Sequence, residues 1–292
     1  MPWLPAHQAH AIERVSVTFQ FAEPVPSKAW QALLNRASVD LPLQGFNVSL
    51  DEMEFNFPQA SNFPGVPQMN AFVFGPDGLV PQGQPQTGVG GKTFRRVSGD
   101  SVQEEISLLR TRFIYATTLY DRWAGCKKRI ANVLGLYLSA VLSSVDISLI
   151  KLEYWDRFVS EESGSNAVFA QLFRQDSKHV PEFIFDMHEL WHTHVGYFLH
   201  THDVAKRLIN VNLDAIDLEE RDATNPSIRL QRRSVGIYTM VQDTVRQDAP
   251  PSDIDATMVA LDGMHAILKD VLADVISEEA ARLISLDAKA QS

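Results

Sequence analysis

Between Glu104 and Glu161 the hydrophobic period changes twice, which restricts the chain to folds in which a long helix joins two strands. Ile106 to Tyr115 is rich in β-branched and aromatic residues, as strands are, and carries Arg110 and Arg112 on one face. From Trp123 onward apolar residues recur every three or four positions: Trp123, Cys126, Ile130, Val133, Leu134, Tyr137 and Val141. At 3.6 residues per turn these positions form one stripe of a helix lying on a core. After Ser143 and Ser144 the period falls to two. Ile150, Leu152 and Tyr154 then face one way and Lys151, Glu153 and Arg157 the other, the alternation of a half-buried strand.

The same periodicities organise the rest of the chain. Val15, Val17, Phe19 and Phe21 alternate with Ser16, Thr18 and Gln20, a strand that Pro24 and Pro26 end. Ser27 suits the N-cap of a short helix with Trp30, Leu33 and Leu34 inside. Phe46–Phe57 and Asn70–Phe74 read as strands. Pro76, Asp77 and Gly78 make a turn, and Val80–Gly91 reads as a surface loop within a longer Pro- and Gly-rich stretch, Pro58–Lys92. Trp191–Leu199, Leu208–Leu218 and Ile228–Val241 read as three strands, with Asn225 and Pro226 turning into the last. Ser252 or Asp253 caps a final helix whose inward positions are Ile254, Met258, Leu261, His265, Leu268, Leu272 and Val275. Together these patterns predict an α+β protein of two similar units, each an antiparallel β-sheet followed by a long amphipathic helix packed on it. The units are residues 1–144, with a helix over about 120–142, and residues 145–292, with a helix over about 253–283.

The run LLRTRFIYATTLYDRWAGCKKRI, followed by IKLEYWDRFV, resembles an uncharacterised family distributed sporadically through bacteria and archaea. The opening VSVTFQFAEPVP and the closing LDGMHAILKDVLADVIS resemble its two ends, so the likeness spans nearly the whole chain. It implies a strand ending in an aromatic-rich Arg-Phe segment, a long helix, and a strand of Leu-Glu-Tyr character, here Leu152, Glu153 and Tyr154. It implies no activity and no functional residue.

With 36 acidic against 26 basic residues the net charge is −10, which argues against a general nucleic-acid binder, because phosphate attraction needs a basic surface. The single cysteine, Cys126, excludes an internal disulfide and lies on the apolar helix stripe, so it reads as a small core hydrophobe. MPWLPAHQAHAIERV has no charged and apolar regions of a signal peptide, and no apolar run reaches the roughly 18 residues of a membrane span. A soluble, cytoplasmic protein with no membrane association is the expectation.

The sharpest motif is His188-Glu189-Leu190-Trp191-His192, which satisfies H-E-x-x-H. On a helix, His188 and His192 share a face and could hold Zn²⁺, with Glu189 as general base and Glu219 or Glu220 as a third ligand. The surrounding residues oppose a helix. Trp191, Val195, Tyr197 and Leu199 alternate with His192, His194, Phe198 and His200, and Gly196 and Pro181 lie close by. Six of the nine histidines fall between His179 and His202, so the motif can arise from local composition. On a strand the two histidines would stand roughly 13 Å apart, too far for one metal. The plainer expectation is a polar strand face carrying His192, His194, His200 and His202.

Thr87–Thr93 ends like a phosphate-binding loop, but Gln86 stands where the first glycine belongs, and no strand–loop–helix context surrounds it. Arg95, Arg96, Arg110, Arg112, Lys127, Lys128 and Arg129 are either a converging anion site or the solvated faces of their elements. The leading expectation is therefore a non-catalytic binding protein with no assigned catalytic, cofactor or metal residue. It recognises a protein partner, a second copy among the candidates, through its sheet faces or the 58–92 segment. The alternatives are a zinc-dependent hydrolase built on His188, Glu189 and His192, and a small-ligand-binding module with its ligand between a long helix and the sheet.

Overall fold

The computed structural model describes residues 2–7, 10–56, 72–75, 78–81, 86–221 and 229–286. Its elements in chain order are β1 (Trp3–Pro5), β2 (Ile12–Phe21), α1 (Ser27–Leu43), β3 (Val48–Asn56), β4 (Phe72–Gly75), β5 (Gly78–Pro81), β6 (Gln86–Ser98), β7 (Ser101–Leu109), β8 (Arg112–Thr117), α2 (Trp123–Leu142), β9 (Ile147–Ser163), α3 (Phe169–Leu172), β10 (Trp191–Leu199), β11 (Lys206–Arg221), β12 (Arg229–Thr244), α4 (Ile254–Val275) and α5 (Glu278–Leu283). Ten strands form one antiparallel sheet in the order β10-β11-β12-β9-β2-β8-β7-β6-β3, with β1 also on β9, while β4 and β5 pair separately.

The expectation of two similar sheet-and-helix units is corrected. β2 hydrogen-bonds along β9 from Ile12↔Asp156 to Phe21↔Ile147, so one ladder system runs through the middle of the chain. The parts flanking it are unlike as well. After β2 comes the 17-residue α1, whereas after β9 comes only the four-residue α3. A period of two states which side of a strand is buried but not which strand lies beside it, and the joining pair is 126 to 144 residues apart in sequence. The 144/145 division falls in the turn between α2 and β9.

Alternation places Val15, Val17 and Phe19 of β2 on one face with Ile150, Leu152 and Tyr154 of β9 and Val235, Ile237 and Val241 of β12, all buried. The helices cover this face, and their buried stripes complete the core: Ile130, Leu134 and Leu138 from α2, and Leu261, Met264 and Leu268 from α4. The other face carries Arg14 over Trp155, Trp155 against Tyr238, and Lys206 over Phe198.

Two loop expectations change. Thr87–Thr93 lies on β6, paired with β3 and β7, so the near-match to a phosphate loop is strand. Its Gly91 answers a packing need: a Cβ there would sit 2.1 Å from the Leu108 carbonyl oxygen on β7. Of the expected 80–91 loop, Val80, Pro81 and Gln86 onward are strand and residues 82–85 lie outside the described residues, as does all of 58–71. Gly99, at φ 59, makes the tight turn between β6 and β7. No described helix is long and apolar enough to cross a membrane.

Candidate functional site

A cavity of about 190 Å³ lies between the start of α2, α4 and the central strands of the sheet. Its walls come from six places: His10 and Ile12 at the entry to β2, Tyr120 and Trp123 at the start of α2, Tyr154 and Asp156 on β9, Thr239 on β12, His265, Leu268 and Lys269 on α4, and Ile284 to Leu286 after α5. The order of the sheet explains this meeting. β2, β9 and β12 are neighbours, Ile12 sits opposite Asp156, and Tyr154 sits opposite Thr239.

Five rings follow one another around the wall. His10 and Tyr120 meet edge-on at 5.4 Å, Tyr120 and Tyr154 at 6.0 Å, Tyr154 and His265 at 5.9 Å, and His265 stacks on Trp123 at 4.6 Å. The Tyr154 hydroxyl lies 2.9 Å from His265 Nδ1. The Trp123 indole N–H donates to Asp262 Oδ1 at 2.8 Å and Lys127 donates to Asp262 Oδ2 at 2.7 Å, which fixes the ring's orientation.

Electrostatically the cavity is unusual. Asp156 is 3% exposed, and burial, aided by the like charge of Glu13, pushes its carboxyl up to about 7. Among the described residues its Oδ1 has no hydrogen-bond partner. His10 Nδ1 is likewise buried without a partner, and burial followed by the neighbouring His7 lowers that imidazole's pKa. Burial, then Lys269, lowers His265 to about 4, so its ring is neutral at physiological pH. Burial raises the Tyr120 and Tyr154 hydroxyls, which therefore stay protonated. Cys126, nearby on α2, is pushed up to about 12, chiefly by burial, and remains an unreactive thiol as its place on the core stripe suggested.

The residues singled out by motif lie elsewhere. His188 and Glu189 sit in the exposed segment before β10, and His192 is on β10 itself, so the helix that an H-E-x-x-H zinc site requires over 184–195 is absent. A short 3-10 turn, Glu182–Asp186, and then extended chain occupy that stretch. The His188 carbonyl accepts from Arg233, and Glu219, one suggested third ligand, pairs with Arg229 at 2.7 Å. No group of three or more His, Cys, Asp or Glu among the described residues is arranged to hold a metal. His192 and His194 do share a face of β10, where His194 Nδ1 hydrogen-bonds Asn212; His200 and His202 lie past the strand's end.

One histidine of that stretch is buried. His179 places Nδ1 2.6 Å from Asp274 Oδ2 and Nε2 2.9 Å from the Tyr197 hydroxyl, and Ser177 also donates to Asp274 at 2.8 Å. Every polar atom there is matched, which marks a brace between the end of α4 and β10. The basic residues do not converge. Arg95 pairs with Glu105, Arg96 and Arg129 with Glu104, Lys127 with Asp262, and Arg110 donates to the Val25 carbonyl.

Comparison with protein-family models, with curated proteins and with solved structures gives no match.

Sequence reasoning placed His265, Leu268 and Leu272 on the inner face of the last helix and Tyr154 on the inner face of its strand. It passed over Asp156, although LEYWDRF contains the signal. Asp156 continues the Ile150-Leu152-Tyr154 phase, so a carboxylate occupies an apolar-phase position of a strand. His10 and Tyr120 lie in irregular segments and had no periodicity to betray them.

Proposed function

We propose that the protein binds a small organic ligand in the cavity between α2, α4 and the centre of the sheet. One observation carries this reading: two pocket-lining polar atoms, Asp156 Oδ1 and His10 Nδ1, are buried without partners inside an aromatic wall. Leaving a polar group buried and unsatisfied costs about 1–3 kcal/mol, and of the seven such side-chain atoms among the described residues these two share one cavity. A ligand that hydrogen-bonds to both atoms recovers that cost on binding. The cavity exceeds the roughly 150 Å³ that admits benzene and falls short of the roughly 300 Å³ at which drug-sized sites begin. Its ligand is therefore about the size of one substituted ring.

The test is a thermal-shift screen of small compounds against the wild type and Leu268→Trp, with Leu272→Phe as a milder filling variant. Compounds that stabilise the wild type and leave both filled variants unmoved support the site. A screen in which every stabilising compound acts equally on the filled variants removes it.

A second reading, recognition of a protein partner, rests on the uncovered sheet face, where Phe198 is 53% and Ile216 37% exposed. A second copy of the chain is the simplest partner to test. A dimer in sedimentation that Phe198→Glu converts to monomer supports it, and a monomer at every concentration removes self-association as the use of that face.

A further inference from the structure

We infer that the ligand of this cavity is a small primary monoamine with an aromatic or compact apolar body, its ammonium group set against Asp156. The inference rests on the small-ligand reading and adds the chemistry of the occupant. Three features of the cavity lead to it. The cavity wall holds a carboxyl that is 3% exposed, and no cation pairs with it among the described residues. Arg157, the next residue, points to the opposite face and pairs with Glu13 and Ser234. A buried carboxylate gains most from an ammonium group, which supplies both a charge and hydrogen-bond donors.

The wall is the second feature. Tyr120, Trp123 and Tyr154 surround the space beside that carboxyl, and aromatic faces attract a cation within about 6 Å of the ring centroid. The same rings give an apolar body a surface on which to stack. His10 Nδ1, without a partner, is available as a second acceptor for an ammonium hydrogen in the neutral ring.

The third feature limits the ligand's charge to one. Arg122 and Lys269 stand at the rim, and Lys269 is close enough to His265 to depress its basicity. The Lys269 cation disfavours a ligand with a second positive end, which favours a monoamine with an uncharged body over a polyamine.

The charged and titratable groups around Asp156 are His10 and Glu13 from the β2 side, Tyr120 and Arg122 before α2, Cys126 on α2, Tyr154 on β9, and His265 and Lys269 on α4. His265, the tyrosines and Cys126 hold one state from pH 6 to 8, and His10 is displaced towards its neutral form. Asp156 is the group that titrates inside that window. Amine binding is therefore coupled to release of the Asp156 proton, about half a proton per amine bound at pH 7.

The experiment is calorimetric titration of wild type and Asp156→Asn with phenethylamine, 2-phenylethanol and phenylacetate, in two buffers of different ionisation enthalpy. Folding of the variant is checked by circular dichroism. At pH 8 the wild type is expected to prefer the amine over the alcohol by roughly ten- to hundredfold, the range of a charge-assisted hydrogen bond, and to reject the carboxylate. Asp156→Asn is expected to erase that preference and the proton release while still binding the alcohol.

If alcohol and amine bind equally in the wild type, or the preference survives in Asp156→Asn, the monoamine inference falls while the cavity stands. The wild-type comparison decides the matter without the variant: equal affinity for amine and alcohol at pH 8 overturns the inference. If no probe binds but compounds from the screen do, the inference again falls alone. If neither probes nor screen compounds bind, both readings fall.

Discussion

Two buried carboxylates on the helix-covered face of one sheet have opposite fates. Glu104 on β7 is 2% exposed and Asp156 on β9 is 3% exposed. Glu104 accepts two hydrogen bonds from Arg129, at 2.7 and 2.9 Å, and one from Tyr115 at 2.8 Å, and it pairs with Arg96 at 3.0 Å. Burial alone would raise its pKa, but those donors win and hold it below the ordinary carboxylate value. Asp156 has a similar degree of burial without such donors, and its pKa rises to about 7. Burial therefore does not tell a structural acid from a functional one. What separates them is whether the fold has supplied the partners.

The two acids should affect stability in opposite directions, which gives the largest expected effects. Glu104→Gln removes a charge that two arginines, each about a third exposed, are arranged around. Losing one partner of such a pair should cost about 3 kcal/mol at pH 7, read as a lower midpoint in urea. A loss under 1 kcal/mol would mean that the arginines are already satisfied by solvent.

Asp156→Asn should do the reverse. An acid whose folded pKa lies above its unfolded value of 3.8 makes the native state bind protons more tightly. Its penalty is absent below about pH 4, grows between pH 4 and 7, and is complete above pH 7. Asp156→Asn is thus expected to be more stable than wild type by a few kcal/mol at pH 8, on the order of 1.4 kcal/mol per pH unit of displacement. The gap should close as the pH falls towards 4. Glu104, with its pKa lowered, supplies stability that is present above about pH 4.5 and lost as pH falls through its depressed value. Denaturation of the two variants and the wild type from pH 2 to 8 separates these signs, and a parallel pair of curves would break the comparison.

Smaller effects sharpen it. Tyr115→Phe removes one donor to Glu104 and should cost about 1 kcal/mol, with Glu104 titrating at a higher pH by carboxyl NMR. Tyr197→Phe removes the hydroxyl on His179 and should cost a similar amount without changing ligand binding, as expected of a brace. His188→Ala with His192→Ala should move stability by less than about 0.5 kcal/mol, since both side chains are exposed. A larger loss would return that segment to consideration as a site.

Much of the fold was legible along the chain. The helix-then-strand order over Trp123–Glu161, the strands at 191–199 and 208–218, and the last helix with His265 inside all follow from local period, because a buried stripe repeats with the geometry of its own element, whereas the single strand expected over Ile106–Tyr115 is a hairpin of β7 and β8 that turns at Arg110 and Thr111. The final helix divides at Ile276 and Ser277, a break its stripe does not announce, where Ile276 makes an isolated bridge to Phe173 and Ser277 caps α5.

What the linear pattern could not decide is which strand lies beside which. Pairing of β2 with β9 joins residues far apart in sequence, and a period of two is silent on neighbours. The site depends on that pairing: His10, Tyr120, Asp156 and His265 meet because β2, β9 and β12 are adjacent and α2 and α4 pack on the same face. The sequence by itself determined the elements and their inner faces, since each is set by residues within one or two turns. Only the tertiary structure decided that Glu104 is matched with arginines and Asp156 is not, because a buried charge takes its character from groups that arrive from distant parts of the chain.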